Sequence, residues 1–434
     1  MLGKDLKYME EHLQGQVKKE QKQNGMEYWK KIVILFFFGW TVIWTYRTVL
    51  NPILPDIKGQ LGITSDASLG LISSVFFFCY TSMQIPSGFL ADKFGRKVVL
   101  IPGFILFAIG AVTVGFAPSL LILLVGSAFA GLGQGTYYGP AYSTSSLAIP
   151  NEKRGFSTAI INSGSALGMG IGFIGSSYLV KGLGFSWRPL LFVTSGLIII
   201  MVIAFAKVIK ERPKQSTDVE VEKSSEDTAS VKTLFGDVRM LGAYVLYFAT
   251  CYGYYMIVTW LPSYLQLERG FKGVAIGFAS SLVAFAAVPG ALLFSKMADK
   301  LKNKKITIVL ILEIIAAVTL FLTVAVQNNS LLLLFLIMYG FFGKLAVDPI
   351  LISYVTEIAP KKGYSTTLGF FNFFGMMSSV VAPFVTGMIS DATGSKILGF
   401  YIAIIIILFG TGVMFLANLK KSPALGYEQS RRDM

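Results

Sequence analysis

The chain is poor in the residues on which soluble enzymes rely. It has one histidine, two cysteines and a charged fraction of only 14% in 434 residues. The histidine, His12, lies in a polar N-terminal stretch, so no histidine proton relay runs through apolar sequence. Cys79 and Cys251 fall within apolar runs and lack metal-ligand spacing, which argues against a disulfide framework and a zinc site. No apolar run offers a nucleophile–base pair or a metal-ligand cluster, so an enzyme is not expected, nor a metal or cofactor. A cleavable signal is not expected either. The first apolar run begins after about 30 polar residues and is too long for a signal-peptide core.

What the chain has in abundance is apolar sequence, 54% of it, with mean hydropathy +0.64. Charges cluster and leave runs of about 20 residues, the length that crosses roughly 30 Å of hydrocarbon. Twelve such runs stand at 31–54, 68–91, 97–117, 119–148, 156–180, 187–207, 240–264, 273–297, 305–326, 330–358, 364–390 and 395–418. They predict an all-α membrane protein with twelve transmembrane helices, numbered spans 1 to 12 below.

About 30 of the 38 lysines and arginines fall in the two tails and in alternate loops. That bias predicts a multi-pass protein of the cell membrane with both termini in the cytoplasm. It also accounts for the net charge of +14. The basic residues face anionic lipid head groups, and no nucleic-acid partner is needed.

The domain plan follows. Residues 1–30 form a cytoplasmic tail, where Leu6, Met9, Leu13 and Val17 support only a weak amphipathic stripe. Residues 31–207 form the first six-helix bundle. Residues 208–239, rich in charge, Ser and Thr, form a cytoplasmic linker. Residues 240–418 form the second bundle, and 419–434 a C-terminal tail. Two repeats support the halves. Gly88-Phe89-Leu90-Ala91-Asp92-Lys93-Phe94-Gly95-Arg96-Lys97 returns, worn, as Ser295-Lys296-Met297-Ala298-Asp299-Lys300 about 207 residues later. Lys153-Arg154-Gly155-Phe156-Ser157-Thr158 returns as Lys361-Lys362-Gly363-Tyr364-Ser365-Thr366 at nearly the same offset.

Charges inside a span are costly and therefore functional candidates. Arg47 in span 1 shares a helix face with Trp40, Trp44 and Asn51 and offers a planar fork to carboxylate or phosphate. Lys344 and Asp348 lie four apart in span 10. They read either as a substrate cation with a proton carrier or as a structural pair that neutralises itself. Glu313 in span 9 reads as interhelical, and Glu357 reaches water at the end of span 10. Uncharged candidates for substrate contact are Tyr80, Gln84, Gln134, Tyr138, Asn162, Tyr254 and Asn372. Each could equally glue helices together. Gly170-Ile171-Gly172-Phe173-Ile174-Gly175 fits a dinucleotide fingerprint but lies inside an apolar span with no preceding strand. Gly164, Gly168 and Gly172 instead predict close helix packing.

The segment Gly88–Lys97 resembles, position by position, the cytoplasmic loop motif of the major facilitator superfamily. The resemblance implies two six-helix bundles around a cavity lined mainly by spans 1, 4, 7 and 10. It also implies a gating role for Gly88, Asp92, Gly95, Arg96 and Lys97, with Asp299 a weaker counterpart. Trp187-Arg188, the run Thr259–Leu265, Glu268-Arg269-Gly270, and the placement of Arg47, Tyr80 and Asn372 look like the anion:cation symporters, which include sugar-acid transporters. Those symporters carry an Arg and an acid in span 4, where this chain has Ser127 and Gln134. Asp348 is then the remaining candidate for proton coupling. Organophosphate antiporters use a second Arg in span 7, where this chain has about Tyr254.

The expected function is secondary active transport by alternating access: proton-coupled uptake of a small organic anion by a monomer. The alternatives are export of amphiphilic compounds, an organophosphate or anion exchanger, and a membrane sensor. A sensor would be expected to carry a soluble output domain, and none is evident in the sequence.

Overall fold

A computed structural model of the chain describes residues 27–150, 153–210, 235–301, 304–360 and 364–419. The tail to residue 26, the linker over 211–234, the C-terminal tail from 420, and the side chains of Asp92 and Asp299 lie outside the described residues. Among the described residues there is no strand, and twelve helices are long and apolar enough to cross a membrane. Apolar side chains on their outer faces stay open, as Ile405, Phe409 and Leu416 of span 12 do, which suits a lipid-facing surface.

Span 1 is Tyr28–Val49, prolonged by a turn at Asn51–Ile53 and a helix at Leu54–Gln60. Spans 2 and 3 are Asp66–Phe94 and Arg96–Phe116, and spans 5 and 6 are Arg154–Ser176 and Arg188–Val208. Spans 7, 8 and 9 are Val238–Leu267, Val274–Lys300 and Lys305–Ala325, and spans 11 and 12 are Tyr364–Thr393 and Ile397–Leu419. Gly95, between spans 2 and 3, has φ +103°, a conformation that an L side chain rarely adopts. The loop motif thus makes a turn between two helices.

Spans 4 and 10 are each interrupted within the span. Span 4 is Leu120–Gly135 followed by Tyr138–Ala148, and span 10 is Asn329–Phe342 followed by Lys344–Ile358. The interruptions, at Thr136 and Gly343, sit at matching places in the two halves. Discontinuous spans expose backbone ends inside the membrane, where ligands can use them.

In the first half, span 1 packs on spans 5 and 6, span 2 on span 4, and span 3 on spans 4 and 6. In the second half, span 7 packs on spans 11 and 12, span 8 on span 10, and span 9 on spans 10 and 12. The halves meet along spans 2 and 11 and along spans 5 and 8. Glycine makes these approaches possible. A Cβ on Gly164, Gly168 or Gly172 would stand closer than 3.0 Å to span 1 atoms, so the glycines of span 5 serve packing and not a nucleotide. Gly70 faces Pro383 across the first seam, and Gly277 faces Phe173 across the second.

The seam is fastened at one end. At the far side, opposite Tyr28 and Leu419, the Asp391 carboxylate accepts the backbone N–H groups of Asp66 (2.6 Å) and Ala67 (2.9 Å) and the Ser65 hydroxyl (2.6 Å). In return Asp66 accepts Ser390 (2.7 Å) and Lys396 (3.0 Å), while Lys58 of its own half bonds its other oxygen. Asp391 thereby completes the N-terminus of span 2, where four N–H groups lack helical partners. On the tail side the first half instead bounds a small cavity of about 40 Å³ lined by Trp40, Tyr138, Tyr142, Arg154 and Asn162 among others.

Candidate functional site

Arg47 lies in the last turn of the first helix of span 1. Its Nε and Nη2 both donate to the side-chain oxygen of Gln134 on span 4, at 2.8 and 2.6 Å. The guanidinium carbon stands 4.5 Å from the Tyr80 ring centre, 4.9 Å from Trp44 and 5.2 Å from Phe77. Such faces attract a cation by about 0.5–2 kcal/mol each without cancelling its charge. Gln134 is also neutral. Among the described residues no carboxylate pairs with Arg47. Gln134 is fully buried, and its Nε2 has no hydrogen-bond partner. The guanidinium and an idle amide donor therefore stand together, a combination suited to a carboxylate.

The break at Gly343 places Lys344 at the first residue of the second half of span 10. Lys344 forms an ion pair with Asp348 one turn on, as the spacing predicts. Its ammonium also lies 5.4 Å from the Tyr254 ring centre and 5.7 Å from that of Tyr247. Asp348 Oδ1 is buried without a partner. Glu313, 1% exposed, accepts the Thr250 hydroxyl of span 7, in line with its interhelical reading. Lys305, the first residue of span 9, is buried and binds Glu357 and Ser353.

Rings join the two charged centres. Trp44 meets Tyr254 edge-on at 6.2 Å, and Phe77 meets Tyr255 at 4.9 Å. Asn51 of span 1 donates to the Val258 carbonyl of span 7 at 2.8 Å. The structure thus brings Arg47, Tyr80, Gln134, Tyr254, Lys344 and Asp348 to one region between the halves. Gln84 and Asn372 meet each other across the seam at 3.3 Å. Tyr138 and Asn162 line the tail-side cavity, though Tyr138 also lies within electrostatic reach of Lys344 and Asp348.

Residues of the symporter-like segments make supporting contacts. Arg188 donates to the carbonyls of Gly115 and Ala117 at the end of span 3, and Trp187 donates to Gln60. Trp260 donates to the Pro383 carbonyl across the span 7–11 contact. Sequence reasoning passed over Asp66, Asp391 and Lys396, which stand at span ends where polar residues are ordinary. It also passed over Phe77, Tyr247 and Tyr255, which read as ordinary apolar or aromatic members of a span.

Residues 33–383 match the family model described as Major Facilitator Superfamily. A probable sulfoacetate transporter, SauU, of Cupriavidus necator is 27% identical over 417 residues, covering 91% of this chain and 93% of that protein. A probable galactarate/D-glucarate transporter, GudP, of Bacillus subtilis is 26% identical, covering 84% of this chain and 86% of that protein. A solved bacterial homologue of the human lysosomal transporter Spinster, inward-facing and unoccupied, superposes with TM-score 0.76 at 16% identity. It covers 92% of this chain and 100% of that one.

Proposed function

The chain belongs to the major facilitator superfamily of membrane transporters, and we propose that it imports a small organic anion, a carboxylate or sugar acid, together with protons. The observation that carries this reading is Arg47. A guanidinium held between spans by rings and a neutral amide, with no described counter-ion, awaits an anion. The relatives named for sulfoacetate and for galactarate and glucarate support the same class of cargo. In this reading the tail side faces the cytoplasm of the cell, as the lysine and arginine bias suggests.

Alternating access then has a physical form. The fastened far side and the tail-side cavity correspond to an inward-open carrier. Rocking about the seam breaks the hydrogen bonds of Asp391 and those of Asp66 to Ser390 and Lys396, and opens the site to the outside. Cargo bound between Arg47 on one half and the span 10 charges on the other favours closure around it, and must be held weakly enough to leave. Asp348 carries the proton, because Gln134 cannot titrate.

Reconstitution in proteoliposomes tests this. With an inward proton gradient, radiolabelled organic acids such as glucarate accumulate, and Arg47→Ala abolishes uptake while its thermal melting stays near that of the parent. Full uptake by Arg47→Ala contradicts the assignment.

A further inference from the structure

The buried charges on either side of the seam do not balance, and the imbalance bears on the cargo. Arg47 has a neutral partner. Lys344 has one counter-ion, Asp348, whose Oδ2 it meets and whose Oδ1 is buried with no partner at all. The titratable groups around the pair are Tyr247, Cys251, Tyr254 and Tyr255 on span 7, Glu313 on span 9, Tyr138 on span 4 and Tyr339 on span 10 itself. None of these supplies Lys344 with a cation's natural substitute for Asp348, since Glu313 is committed to Thr250.

Consider what a proton on Asp348 does. It cancels the only described counter-charge of Lys344 and leaves a buried ammonium unpaired, a costly state. A single acid group bound at Arg47 does not relieve that cost, because the two cations lie against different rings of the Trp44–Tyr254 pair, Arg47 on Trp44 and Lys344 on Tyr254. A second acid group on the same molecule does. We infer that the cargo is a dianion with an acid group at each end, one on Arg47 and the Gln134 amide, the other replacing Asp348 on Lys344.

This rests on the organic-anion reading above and narrows it. In the exchange the Lys344 N–H bond swings from Asp348 to the substrate carboxylate, and the proton settles on the Asp348 carboxyl, where the unpartnered Oδ1 is the open position. No covalent bond to carbon forms or breaks. The loaded site is neutral: two cations, one dianion and a neutral Asp348. Proton and cargo are coupled because neither is stable there without the other. The dianion also touches both halves, so its binding draws spans 1 and 10 together.

Matched acids test the inference. Binding of glucarate is compared with gluconate, which has the same carbon skeleton and one acid group fewer, and binding of succinate and glutarate with butyrate and valerate. Isothermal titration is run on the purified full chain, on Lys344→Gln and on Asp348→Asn. At least one dianion is expected to bind about tenfold or more tighter than its monoanion partner, the effect of one charge-assisted hydrogen bond. Lys344→Gln removes that preference while retaining monoanion binding through Arg47. Asp348→Asn retains dianion binding and loses its pH dependence. A substitution that merely loosened the fold would weaken both members of a pair alike. Equal binding of monoanion and dianion by the parent, with Lys344→Gln weakening both equally, overturns the dianion inference and leaves organic-anion transport standing. Absence of binding for every acid tested overturns both.

Discussion

Asp66→Asn unfastens the far side, and its effect can be worked from the contacts. The Asp66 carboxylate is 9% exposed and faces Lys396, itself 5% exposed, across the seam at 3.0 Å, with Ser390 at 2.7 Å. An amide still accepts one hydrogen bond, but it strips Lys396 of its counter-charge. Breaking a buried pair on one side costs about 3–5 kcal/mol. Lys396 keeps Ser390 at 3.3 Å and the Trp260 ring at 5.3 Å, so about 2 kcal/mol is a better figure. That cost falls only on the far-side-closed state, because the opened state has already lost the contact. It corresponds to about a 30-fold shift, which takes a closed-to-open ratio of about 99:1 to about 3:1. Spin labels at Thr64 and Lys272, both exposed on opposite halves at the far side, read the change by double electron–electron resonance. Cys79 and Cys251 are first replaced by serine. The parent is expected to give one dominant short distance and Asp66→Asn a second, longer population. A lowered melting temperature with an unchanged distance distribution refutes the reasoning, since Asp66 would then serve the fold and not the gate.

Two further outcomes follow from packing and burial. Gly168→Ala places a Cβ against the Thr41 carbonyl, closer than 3.0 Å, and forces spans 1 and 5 apart. Loss of about 1–3 kcal/mol is expected, read as a lower melting temperature in detergent, and an unchanged melting temperature contradicts the packing account. Glu313→Gln keeps the carbonyl oxygen that Thr250 bonds. It is expected to retain proton-driven accumulation, measured as the steady-state ratio of labelled acid, and collapse of that ratio would move Glu313 into the coupling machinery.

Much of the fold was legible because a bilayer leaves few choices. Twelve apolar runs had to become helices, and the glycines of span 5 had to face a neighbour. The breaks in spans 4 and 10 were not legible. Gly135, Thr136 and Gly343 sit in otherwise helical sequence, and the one local mark is Pro140, which has no N–H to bond the Thr136 carbonyl. Arg47, Lys344 and Asp348 stood out because charge in hydrocarbon is rare. Gln134 stood out as a missing acid, and the structure makes it the acceptor for Arg47's fork. The far-side fastening was hidden by distance along the chain. Asp66 and Lys396 are 330 residues apart, and nothing local marks either as a partner of the other.

Proton movement with the cargo tests the central claim most directly. Proteoliposomes loaded with a pH-sensitive dye, with the membrane potential clamped, receive an external organic acid that the carrier binds. The account predicts internal acidification with the parent chain and none with Asp348→Asn, although Asp348→Asn still exchanges labelled for unlabelled acid. Acidification by Asp348→Asn at the parental rate, or transport by the parent without acidification, would contradict it.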